Sequence, residues 1–212
     1  MRKFLLVLLL SAGIAAPVAA EPPGFMHFER SQSDHALLDR LSETLNAIHS
    51  MKGSFVQLDP DGQIDEGEFY IQKPGRMRFE YQAPNPILIV SDGTTVAVQN
   101  KKLHTLDHYP IWSTPLDLVL SNDLNLNENK SIAGVSRQPG EIIVNARAAS
   151  NKVHGNITLV FSDPGFELRQ WTIVDAQGLS TTVSLRGVTQ GVALDPALFT
   201  LPTDNSFMRK EE

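Results

Sequence analysis

The chain has 212 residues, 42% of them hydrophobic and 20% charged, with a net charge of −6. That length and apolar content suffice for one domain with its own core, and dispersed lysines and arginines under a negative balance argue against nucleic acid as a partner. With no cysteine, the chain is denied disulfides, thiolate metal sites, cysteine nucleophiles and lipid attachment at a mature N-terminal cysteine.

The first twenty residues, MRKFLLVLLLSAGIAAPVAA, read as a secretory signal: Arg2 and Lys3 precede a short apolar run from Phe4 to Ile14, and small residues lead up to Ala20. Cleavage after Ala20 is expected, because the run is short for a retained membrane anchor. No other stretch is long and apolar enough to cross a bilayer, so a soluble, exported mature protein is expected. Residues 21–33, with Pro22, Pro23 and Gly24, read as a loose leader, and 34–212 as a single domain.

An amphipathic helix follows. Leu38, Leu41, Leu45 and Ile48 recur at three- and four-residue steps between polar positions. Ser33 or Asp34 is placed to cap it and Gly53 to end it. The period then changes to two. Strands are predicted at 54–58, 67–72, 77–81, 87–90 and 94–99, with a weaker one at 102–106. Phe69 and Ile71 share one face, as do Met77, Phe79 and Tyr81. Ile111 to Leu120 reads as a short helix with Thr114 at the cap and Pro115 at the first helical position. Strands resume at 140–146, 156–162, 166–174 and 180–188, and Asp195 to Pro202 reads as a docking segment. This order fits a single highly curved antiparallel sheet, or an incomplete barrel with helices across its opening.

Within this pattern Asp59 to Phe69, DPDGQIDEGEF, imitates an EF-hand loop, with Asp59, Asp61 and Glu68 in ligand positions around Gly62. Its first position is the uncharged Gln57, and strands flank it instead of helices. A polar hairpin loop is the expected outcome. His104 and His108 are four apart, but Pro110 and the strand pattern argue against a helical metal pair, and exposed imidazoles are the default. No catalytic motif stands out, and acidic residues on a turn lack the concave setting that carboxylate catalysis needs. The chain is therefore read as having no catalytic residues and no metal site. What stands out is apolar: a Leu116–Val119–Leu120 stripe on a helix too short to be stable unpacked, and strand faces that point to a common side. Periodicity alone favours an ordinary core over a ligand cavity.

The run Gly67 to Tyr81, GEFYIQKPGRMRFEY, resembles the outer-membrane lipoprotein carrier family, LolA, in its order of glycine, alternating apolar residues, a basic residue before proline, then apolar, arginine and two aromatics. The similarity extends to Ser54-Phe55-x-Gln57, Pro84, Ile89 to Gly93, Thr114-Pro115-Leu116 and Leu198 to Pro202, nearly the whole mature chain. Two positions depart from the family's habit: Lys73 stands where many members carry Arg, and Val96-Ala97-Val98 where aromatics are frequent. The resemblance implies an α+β fold: a half-open antiparallel β-barrel whose N-terminal helix and short central helix act as a lid over an apolar cavity. It implies a cavity lined by Phe55, Phe69, Ile71, Met77, Phe79, Ile89, Leu116, Val119 and Leu120, with Lys73 holding the lid. It implies no cofactor and no bond-making. The implied partners are the acyl chains of lipoproteins, an ABC-type lipoprotein-releasing transporter in the inner membrane and an outer-membrane receptor, with the carrier itself a monomer. The alternative in the same fold is a periplasmic module that senses lipids or envelope stress; a hydrolase using the acidic loop comes third.

Overall fold

The computed structural model describes residues 31–114, 117–147, 155–175 and 177–203. The expected signal and most of the leader lie outside them. Helix α1 spans Gln32–Ala47, so its start reaches two residues into the expected leader. Ser31 caps it in place of Ser33 or Asp34. The Ser31 hydroxyl accepts from the Asp34 amide while the Asp34 carboxylate takes the Ser31 amide, a reciprocal pairing that satisfies two otherwise orphan donors. Leu38, Leu41 and Leu45 form its buried stripe.

Among the described residues eleven strands follow in one sheet: β1 Ser50–Leu58, β2 Ile64–Gln72, β3 Arg76–Tyr81, β4 Ile87–Asp92, β5 Thr95–Asn100, β6 Thr105–Pro110, β7 Ile132–Gln138, β8 Glu141–Arg147, β9 Gly155–Ser162, β10 Leu168–Asp175 and β11 Ser180–Gln190. Their spatial order is β6-β5-β4-β3-β2-β1-β11-β10-β9-β8-β7, every neighbour antiparallel. Two meanders are thus joined where the first strand pairs with the last, and β6 and β7 stay unpaired to each other, leaving the sheet unclosed.

The structure corrects the sequence reading in four further places. Gly53 does not end the helix; it lies inside β1, opposite Phe69. A Cβ there would come within 2.7 Å of the Arg186 carbonyl oxygen and 2.9 Å of the Phe69 ring, so the glycine makes room for an aromatic neighbour. The sixth strand begins at Thr105, with 101–104 forming the turn before it. The central helix is shorter than expected: a 3-10 turn at Ile111–Ser113, then α2 at Asp117–Leu120. Strand β7 was not foreseen, because only Ile132 of its seven residues is buried and the apolar alternation is faint.

One face of the sheet carries a continuous apolar layer that runs from Val96 on β5 to Ile132 on β7 and includes the α1 leucines. The other face is covered over β3 and β4 by the C-terminal segment. Its 3-10 turn at Pro196–Phe199 packs on β3 and β4. Arg78 reaches the Leu198 carbonyl, and Phe199, Leu88, Val90 and Ala97 are buried apart from the main layer. This is the docking segment anticipated from the sequence.

Candidate functional site

On β2 the buried side reads Asp65, Gly67, Phe69, Ile71, and continues to Lys73. Antiparallel register sets Phe69 between Gly53 and Phe79, and Ile71 between Met51 and Met77. Ile89 lies opposite Phe79 on β4, half-buried against the same layer. Phe55 lies opposite Gly67, where no side chain stands in its way. The aromatics interlock: Phe55 meets Phe79 edge-on at 5.1 Å and Tyr81 at 4.9 Å, while Phe69 stacks on Phe79 at 5.8 Å. Trp171 of β10 closes on Phe79 edge-on at 6.0 Å. These spacings are those of favourable offset and T-shaped pairs.

Phe55, Phe69, Ile71, Met77, Phe79, Val119 and Leu120 therefore lie in one layer with Ile89 at its margin; Leu116 is outside the described residues. The sequence reading missed the other half of this layer. Trp171, Leu159, Phe161, Val144 and Val183 come from strands β8 to β11, and only the order of strands in the sheet brings them alongside. It also missed Leu124 and Leu126, buried in the segment after α2, where no periodicity marks them.

The layer is covered by α1, by α2 and by residues 121–131, here called the strap. One side-chain and one backbone group of the β2–β3 turn hold both helices at their C-terminal ends. The Lys73 amine donates to the Leu45 carbonyl at 2.8 Å, and the Gly75 amide donates to the Leu120 carbonyl at 3.1 Å. The Lys73 amide adds a bond to the His49 carbonyl at 2.8 Å. Leu45 lies in the last turn of α1, where unsatisfied carbonyls and the helix dipole favour a cation. Burial nonetheless pulls the Lys73 amine down to about 8, since desolvation penalises the charged form. Lys73 thus holds the end of α1.

The far end of the layer turns polar. The Tyr81 hydroxyl donates to Gln57 at 2.6 Å, Gln57 donates to Asp59 at 2.7 Å, and Gln63 donates to the buried Asp65 at 2.8 Å. Burial pushes Tyr81 up strongly, with Asp59 and Asp65 adding to it. Asp59 is also raised, first by burial and then by Asp65 and Asp61, against the Gln57 hydrogen bond. The loop between β1 and β2 is the polar hairpin expected: Asp59 and Gln63 are bonded across it, and Gly62 bonds back to Asp59. His104 lies in the exposed β5–β6 turn and His108 on the exposed side of β6. Two surface hollows of about 320 Å³ flank α2, one against Leu118, Leu124 and Asn129, the other against Pro74, Ile111 and Leu120.

An open antiparallel sheet with an apolar face crossed by an N-terminal helix matches the architecture implied by the sequence resemblance. The family described as outer membrane lipoprotein carrier protein LolA matches residues 46–202. The chain belongs to this family. Among relatives of this LolA chain, an outer-membrane lipoprotein carrier protein of Azotobacter vinelandii is 29% identical over 182 residues, covering 80% of this chain and 85% of the relative. One from Methylococcus capsulatus is 28% identical over 178 residues, with the same coverage of 80% and 85%. A crystal structure of a LolA superfamily protein from Nitrosomonas europaea aligns with a TM-score of 0.43 and 10% identity over 77% of this chain and 97% of that one; a likeness at that level adds nothing to the assignment.

Proposed function

We propose that this LolA-family chain is a periplasmic carrier that takes lipoproteins from the inner membrane, shelters their acyl chains against the apolar face of the sheet, and delivers them to the outer membrane. The observation that carries this reading is the family match over residues 46–202, joined to a sheet with a broad apolar face covered by α1, α2 and the strap in place of a second sheet. The family is one of carriers, and the reading assigns no bond-making. An ABC-type inner-membrane transporter supplies cargo and an outer-membrane receptor accepts it; the carrier acts as a monomer.

The physics of release supports the reading. In the closed arrangement the leucines of α1, α2 and the strap occupy the apolar face. Each is worth about 1.5–3 kcal/mol of burial, and each acyl methylene about 0.8 kcal/mol. Cargo therefore replaces a covering that already satisfied the face, about two to four methylenes per leucine. The net gain is small enough to reverse at an acceptor membrane. We assign α2 and α1 the role of lid, with Phe55, Phe69, Ile71, Met77, Phe79, Ile89, Leu116, Val119 and Leu120 facing cargo.

The direct test is transfer of an acylated lipoprotein from inner-membrane vesicles to outer-membrane acceptors by the purified chain. Delivery is expected. Stable binding without delivery would indicate a sensing module instead, and failure to bind acyl chains would overturn both. Leu120→Glu is expected to lower cargo uptake at least tenfold while leaving the circular dichroism of the sheet unchanged; unaltered uptake would remove α2 from the site.

A further inference from the structure

Four polar residues of α1 lie at positions 35, 39, 42 and 46, the spacing of one stripe along a helix. All four bond the strap. The Asn46 side chain takes both backbone groups of Leu124, donating to its carbonyl at 2.9 Å and accepting from its amide at 3.0 Å. The Ser42 hydroxyl accepts from the Leu126 amide at 3.0 Å and donates to the Leu38 carbonyl at 2.7 Å. Asn127 donates to Asp39 and to the His35 carbonyl, and its Oδ1 lies 2.9 Å from the His35 ring. Leu124 and Leu126 are buried beneath this ladder together with Leu38, Leu41 and Leu45. The side chains of the buried Ser42 and of Asn46 each both donate and accept in this contact, and a satisfied polar network of this kind rigidifies.

We infer that α1 and the strap are clasped into one body, with Ser42 and Asn46 as the clasp, so that displacing α2 lifts α1 with it. The inference rests on the carrier reading for its use but not for its existence. The strap continues directly from α2. Moving α2 off the apolar face pulls first on Leu124, and Leu124 is held by α1. Separating strap from helix would leave the Leu124 and Leu126 amides and the Ser42 and Asn46 side chains to find new partners, whereas lifting both together breaks none of these bonds. Ser42 and Asn46 are thus positioning residues that make the two helical coverings open as a unit. Without them α2 would swing alone and uncover only its own part of the face.

Native-state hydrogen exchange on the probe-free full chain decides this. The Leu124 and Leu126 amides are expected to share one opening with the α1 amides of Leu41 and Leu45 as low denaturant is added. Asn46→Ala and, separately, Ser42→Ala are expected to accelerate exchange at Leu124 and Leu126 about tenfold while α1 keeps its native rates; alanine favours the helix, so α1 itself is not weakened. A second arm uses a dipalmitoylated cysteinyl peptide as probe. In the native chain both segments should lose protection on loading, and in the Asn46→Ala chain the strap alone. A native strap that opens while α1 stays protected, in either arm, overturns the clasp. Failure to bind the peptide counts against the carrier reading alone, since the probe-free arm still decides the clasp.

Discussion

Lys73 is buried one residue past β2 with its amine on the Leu45 carbonyl, and its titration has a definite sign. Burial lowers it to about 8 from the 10.5 of an exposed lysine. Between those values the unfolded chain holds more protons than the folded one, so stability rises with pH across that window and is lowest below it. Denaturant midpoints taken from pH 7 to 10.5 should therefore climb in the native chain and lose that climb in Lys73→Met. Gly67 makes a second case at this scale. An added Cβ would lie 2.3 Å from the Glu80 carbonyl oxygen and 2.6 Å from the Phe55 ring, and the oxygen belongs to backbone that cannot step aside. Gly67→Ala should cost about 1–3 kcal/mol by chemical denaturation. Neither effect was legible beforehand. The sequence marks Lys73 as a basic residue before a proline and Gly67 as the start of a strand; their partners, Leu45 and Phe55, are fixed only by register and by where α1 lies.

At the scale of elements, legibility followed periodicity. Strands β2, β3 and β4 alternate or run apolar, and they were located to within three residues at either end. Strand β7 was lost because six of its seven residues are at least partly exposed. β1 was begun too late because Gly53 looks like a helix stop, when its role is to admit the Phe69 ring. The central helix was overextended for a related reason: Ile111, Val119 and Leu120 are all buried, but on two short pieces instead of one helix. The strap was silent, since Leu124 and Leu126 alternate with polar residues over a stretch too short to declare a strand. Such short pieces are held by tertiary partners rather than by propensity. The α2 end bonded to Gly75 and the Leu120→Glu experiment both follow from that.

For the molecule as a whole, the two faces of the sheet carry separate coverings. The face bearing Phe69 and Phe79 is the one proposed to meet cargo, and the opposite face over β3 and β4 is covered by the C-terminal turn. Phe199→Ala should then destabilise the fold by about 3 kcal/mol while leaving acyl-probe affinity within about twofold, and denaturation and binding measured on one preparation separate the two. The sequence anticipated both the docking segment and the antiparallel class. It could not supply the seam, because nothing local in Met51 or Gln190 marks them as neighbours. That seam has a temporal consequence. A chain delivered N-terminus first can zip β1 to β6 early, but β1 keeps a bare edge until the last strand arrives some 140 residues later. For that interval it presents an open template for pairing with other chains. Production of shortened chains ending before Ser180 should accordingly yield aggregates rather than a smaller folded sheet.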